Sequence, residues 1–180
     1  MPAPIPTMVP SLLPYQFHQV AIFTHDANSA VEQYKQLGYT DWIEDNAELK
    51  GVLYGEPVVT KAKMLFNYDI MPMELEFLEY TGPSRHSDRS YDYPFISHMS
   101  TYVDDVVSET EKVAAILGKN PFHRFITQNH SNENVIGKKR FIESIFDTRD
   151  LFGYDFKLIQ KVAWGYEDAQ WLDYQPRDLR

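Results

Sequence analysis

Residues 17–38 read FHQVAIFTHDANSAVEQYKQLG, and residues 96–118 read ISHMSTYVDDVVSETEKVAAILG. Each stretch opens on a histidine that heads a short alternating run: His18 before Val20 and Ile22, His98 before Ser100 and Tyr102. A period of two predicts a strand. The runs break at Asp26 and at Asp104-Asp105. Apolar residues then recur at helical spacing: Ala30, Val31, Tyr34 and Leu37 in the first stretch, Val107, Val113, Ile116 and Leu117 in the second. Both helices are expected to stop at Leu-Gly, with Gly38 and Gly118 free to leave the helical backbone. The histidine-to-leucine interval is 19 residues in both, and the histidines are 80 residues apart. This is an internal repeat.

The segments beyond each helix repeat as well. GVLYGEPVVT, KAKMLFNYDI and MELEFLEY come after Gly38; PFHRFITQ, KKRFIESIFD and YDFKLIQ come after Gly118. Turn-forming residues separate them, such as Gly55-Glu56-Pro57 and residues 129–134. Each half therefore reads strand-helix-strand-strand-strand. The expected class is α+β, with one βαβββ module in each half. The expected divisions are a proline-rich arm (1–16), a first module with its linker (17–95), a second module (96–161) and an aromatic tail (162–180). Residues 80–95 are expected to cross through solvent, and the tail to pack on the domain or across a dimer interface.

Composition narrows the function. The chain has 180 residues, 43% of them hydrophobic, and a net charge of -9. A surface that acidic repels phosphate backbones and anionic lipid, so neither nucleic acid nor membrane is an expected partner. Cysteine is absent, which excludes thiolate catalysis and cysteine-held zinc and fits the cytosol. No basic residue precedes Lys35 and no run of 18 apolar residues occurs, so neither a secretory leader nor a membrane-spanning helix is expected. Neither GxGxxG, GxxxxGK[ST] nor GxSxG is present.

The pattern HQVAI…D…A…Y…LG, repeated at SHMSTYVDD…LG, resembles the vicinal oxygen chelate superfamily, the glyoxalase and extradiol dioxygenase fold. The resemblance covers residues 17 to about 161. MELEFLEYTGPS is most similar to the methylmalonyl-CoA epimerase branch. In that family two paired βαβββ modules form one cupped mixed sheet around a divalent metal, with ligands from the first and last strand of each module, and the resemblance implies that fold here. The resemblance implies His18, Glu76 and His98 as metal ligands, with Glu74 the fallback on the same strand face as Glu76 and Glu79 pointing away. The fourth corner departs from the pattern. Lys157 stands where the family places a glutamate; Asp155 shares its face but lies two residues early.

Two histidines and a carboxylate form a facial triad that suits Fe(II) and accommodates Mn, Co, Ni or Zn. Lys157 opposes a metal by charge. A neutral Lys157 would act as a base or Schiff-base former, and a charged one would pair with Glu76 in the metal's place. The resemblance implies a small oxygenated substrate, isomerase or lyase chemistry and a homodimer; Glu76, from the resemblance, and Lys157, from its own chemistry, are the candidate catalytic groups. The alternatives are an Fe(II) dioxygenase, or a binding protein with no metal. Ser100 and Tyr102 share the face of His98 and are candidate substrate contacts. His25, His86, His123 and His130 fall outside the repeat and are expected at the surface. GKKRF, residues 137–141, is expected at a solvated strand edge.

Overall fold

The computed structural model describes residues 15–69, 73–86, 94–132, 139–163 and 171. The first half runs β1 (Gln19–Phe23), α1 (Ala27–Gln36), β2 (Trp42–Leu53), β3 (Glu56–Asn67) and β4 (Glu74–Tyr80). The second runs β5 (Phe95–Tyr102), α2 (Val106–Leu117), β6 (His123–Gln128), β7 (Lys139–Phe146), a one-turn α3 (Arg149–Phe152) and β8 (Asp155–Ala163). The eight strands close into a barrel in the order β1-β4-β3-β2-β6-β7-β8-β5. The pairs β1·β4 and β5·β8 are parallel and the rest antiparallel.

Two seams join the halves. β1 runs antiparallel to β5, with Gln19 opposite Ser100 and Ala21 opposite His98. β2 runs antiparallel to β6, with Gly51 opposite Phe125. A Cβ on Gly51 would lie 1.9 Å from the Arg124 carbonyl oxygen, so only glycine lets the two backbones come this close.

Strand alternation separates an outer surface from an inner one. Outside, α1 covers Leu65, Leu75 and Phe77 with Ala27 and Val31. Likewise, α2 covers Ile142, Phe146, Phe156 and Leu158 with Val106, Val113 and Ala114. Trp171 joins that second core, and its indole N–H donates to the Phe125 carbonyl at 3.2 Å. A third core, built on Ala47, Leu49, Ala62, Met64, Leu78, Phe125 and Ile145, fills part of the barrel interior. Both helices start on an aspartate cap: Asp26 accepts from the Ser29 N–H and Asp105 from the Ser108 N–H. Gly118 ends α2 at φ 64, the left-handed stop foreseen for it.

β2 begins at Trp42, nine residues earlier than the apolar run GVLY suggests. Its first nine residues, WIEDNAELK, alternate polar outer Glu44, Asn46, Glu48 and Lys50 with buried Asp45, Ala47 and Leu49. β7 pairs with β8 from Lys139 to Phe146, but its register with β6 runs only from Ile142 to Ile145, so Arg140 and Phe141 have a paired strand on the β8 side. Residues 137 and 138, the arm up to residue 14 and most of the tail lie outside the described residues.

Candidate functional site

Charge gathers at the middle of the barrel. Glu76 of β4, His98 of β5, Glu143 of β7 and Lys157 of β8 all point inward and are buried. Lys157 Nζ lies 2.5 Å from Glu143 Oε2 and 6.0 Å from the centre of the Phe125 ring. Glu76 Oε2 and His98 Nε2 face each other at 3.4 Å with no hydrogen bond between them. Above them, the Gln19 amide donates to Glu74 and accepts from the Ser100 hydroxyl at 2.9 Å. Tyr102, half-buried, continues the inward row of β5.

Burial and mutual charge set the protonation states. Burial pushes the Glu76 carboxyl above the ordinary range, and Lys157 only partly opposes it. Glu143 is raised by burial too, against the pull of Lys157. Burial pulls Lys157 down, but Glu143, Glu76 and Glu74 more than offset it and hold the ammonium above its ordinary pKa. His98 is driven well below its usual value by burial, then by Lys157 and Arg149. Burial thus disfavours charge on Glu76, Glu143 and His98, while the neighbouring carboxylates favour charge on Lys157.

One end of the barrel is closed by arginine pairs. Arg85 bonds Asp155 at 2.8 Å and Asp147 at 2.9 Å, and Arg149 reaches Asp155 at 3.3 Å. Burial lifts Asp155 to about 6 even so. A cavity of about 10 Å³, room for roughly one water, sits between Tyr80, His86, His98, His123 and Asp155. At the other side His130 Nδ1 lies 2.6 Å from Asp45, both side chains sealed from solvent.

Solved structures share this arrangement of strands. A variant of Streptomyces coelicolor methylmalonyl-CoA epimerase, in complex with 2-nitronate-propionyl-CoA, matches with a TM-score of 0.50. The match has 16% identity over 83% of this chain and 99% of that one. Methylmalonyl-CoA epimerase from Mycobacterium tuberculosis matches with a TM-score of 0.46 and 14% identity, over 80% of this chain and 86% of that one. The fold is glyoxalase-like. No family model and no curated protein matches the chain. At these identities the likeness fixes the fold and leaves the chemistry to the residues.

The glyoxalase-like frame brings Glu76, His98 and Lys157 together as expected of one site, and leaves His18 out. His18 precedes β1, and its Nδ1 accepts from the Tyr102 backbone N–H at 3.2 Å. The residue of β1 that points inward at that level is Gln19. The repeat explains why. Asp26 and Asp105, the two helix caps, are 79 residues apart. A shift of 79 also exchanges the pair Gln19–Ser100 with the pair Ala21–His98. The structural counterpart of His98 is thus Gln19, not His18, and the 80-residue spacing of the histidines is one residue out of phase.

The expected ligand triad is therefore not assembled. Among the described residues no three His, Asp or Glu side chains are placed to hold a metal ion. The centre also carries the Lys157 ammonium, which repels a cation and occupies Glu143. Asp155, the weak substitute at the fourth corner, is taken up by Arg85 and Arg149. These residues do not fit a divalent ion.

Other expectations are corrected by burial. His86 and His123 are inside rather than at the surface, and the His130 ring is sealed against Asp45; His25 alone of the four is exposed. The linker does not cross through solvent at its start, since Ser84 and His86 are buried and Arg85 pins the barrel end. Glu143 was missed as a site residue. Its signal was an acid between Ile142 and Ile145 on a strand beside Lys157, which needs the register of β7 on β8 to be read as a pair.

Proposed function

We propose that this chain is a small-molecule-binding protein of glyoxalase-like fold that works without a divalent metal, the Lys157 ammonium standing where a cation would. The observation that carries this reading is the 2.5 Å contact of Lys157 with Glu143, beside Glu76, at the barrel centre. A charged lysine there satisfies the acids that a metal would otherwise need, and disfavours any cation added to them. Lys157 is also no Schiff-base former in this state, because an ammonium has no lone pair.

The test is metal content after purification from medium supplied with Fe, Mn, Co, Ni and Zn. The wild-type chain is expected to retain well under one ion per chain. The Lys157→Gln variant, with Glu76 and Glu143 no longer engaged, is expected to take up more. A stoichiometric ion in the wild-type protein, lost in His98→Ala, would sink the reading.

A second reading is favoured by Glu76 and His98. A carboxyl held above its ordinary pKa, 3.4 Å from a bare imidazole nitrogen, is an acid–base couple of the kind an isomerase uses. Deuterium uptake from D₂O into methylmalonyl-CoA reports such chemistry. Exchange above the buffer rate that disappears in Glu76→Gln would make the chain an enzyme, and exchange equal to buffer leaves the binding reading.

A further inference from the structure

The barrel mouth beyond Ser100 carries a set of groups that the central cluster does not use. Tyr102 lies there half-buried, between two nitrogen-bearing side chains. The His18 ring is 5.6 Å from the Tyr102 ring, and Lys161 Nζ sits 4.4 Å from its centre. Lys161 is also 5.9 Å from the Phe141 ring. It is exposed, and among the described residues it has no carboxylate partner. Cation–π contacts hold the ammonium in place without neutralising it.

A backbone contact orients the His18 ring. A backbone N–H can only donate, so the Tyr102 amide at 3.2 Å makes Nδ1 an acceptor. The ring proton of neutral His18 is then on Nε2, on the edge away from that amide. The Thr101 hydroxyl, which donates to the Gln16 carbonyl at 2.7 Å, also lies 3.3 Å from Nδ1. Burial, then Glu74, raises the Tyr102 phenol, so it too remains a donor. The nearest acid of the cluster is already engaged, since Glu74 accepts from Gln19 and from Tyr68. The mouth thus presents an ammonium, an imidazole N–H and a phenol O–H around aromatic faces.

We propose that His18, Tyr102 and Lys161 form a carboxylate-binding mouth whose ligand is a small organic acid with a flat apolar body. The carboxylate takes the charge of Lys161 and the Nε2–H of His18, and the body lies against Tyr102 and Phe141. The proposal rests on the small-molecule-binding reading above and supplies its ligand class. It reassigns His18 from metal ligand to anion donor.

Benzoate and its neutral analogue benzamide, each titrated against the full chain and followed by NMR of the histidine ring nitrogens, test it. Benzoate is expected to shift the His18 Nε2 signal saturably, and benzamide to bind about tenfold more weakly or worse. Lys161→Gln, at an exposed site, is expected to lower benzoate affinity about tenfold, while Lys112→Gln on the surface of α2 leaves it unchanged. His18→Phe retains a ring and removes the N–H, and weakens benzoate without restoring benzamide. No saturable shift with benzoate, equal binding of benzamide, or full affinity in Lys161→Gln overturns the proposal. Metal content of the same samples separates the two readings. Benzoate bound through Lys161 by a metal-bearing protein would remove the metal-free reading and keep the mouth.

Discussion

His123 gains little from its buried position. Its Nε2 has no partner among the described residues, and burial, then Lys157, holds its pKa down to about 3. The folded protein therefore binds no proton there while the unfolded chain takes one up below its ordinary pKa. Stability from this group is full above about pH 6.5 and falls as the pH drops toward 3, by about 1.4 kcal/mol per pH unit. His123→Phe keeps the ring contact with Phe125, 4.5 Å away, and removes both the orphan nitrogen and the titration. Urea denaturation at pH 7 and pH 4.5 is expected to show a variant at least as stable as wild type at pH 7 and clearly more stable at pH 4.5. A pH-independent difference would show that His123 is protonated in the fold. The same residue shows the limit of reading side chains one at a time. A histidine in PFHRF carries no mark of burial until β6 is paired with β2 and β7. His18 against Gln19 is the sharper case. The histidines are the visible feature, but the frame is set by the caps Asp26 and Asp105, and counting back from the caps places Gln19 inside.

At the scale of elements, the order of strands and helices was legible because each half repeats its alternation, cap and stop. What was not legible is closure. Two cupped modules become one barrel only through β1·β5 and β2·β6, and the second seam depends on a glycine inside a strand. Gly51 faces Phe125 so closely that an added methyl group meets the Arg124 carbonyl and Phe125 Cβ. Backbone atoms on two strands cannot rotate away as a flexible side chain would. Gly51→Ala is expected to destabilise by about 1–3 kcal/mol, the usual cost of overpacking. It is also expected to speed amide exchange at Tyr54 and along β6 more than along β3 and β4. Uniform exchange across all strands would mean that the seam is not the weak point. β2 illustrates the same lesson, since its charged outer face hid a strand whose inner face, Asp45, Ala47 and Leu49, lines the barrel.

Across the whole molecule, the barrel interior is held by an ammonium and two acids rather than by apolar packing alone. Lys157 is worth little relative to a well-packed apolar residue, because its desolvation opposes its attraction to Glu143. Its loss by itself is a different matter. Lys157→Met leaves Glu143 and Glu76 buried without a counter-charge, and such a break costs about 3–5 kcal/mol. The sign with pH is set by the acids. Both carboxyls are already raised by burial, and losing Lys157 removes what opposes that rise. A raised acid adds stability below its unfolded pKa and loses it as pH climbs, so the variant is expected to approach wild type near pH 4 and to fall behind toward pH 8. Replacing the pair together, Lys157→Met with Glu143→Leu, is expected to recover most of the loss, because only Glu76 then remains and it can keep its proton. Denaturation of the wild type, the single variant and the double variant at pH 4 and pH 8 checks all three statements. A double variant as unstable as the single one at pH 8 would show that the pair contributes net stability, and that the charged centre is kept for the fold rather than for a ligand.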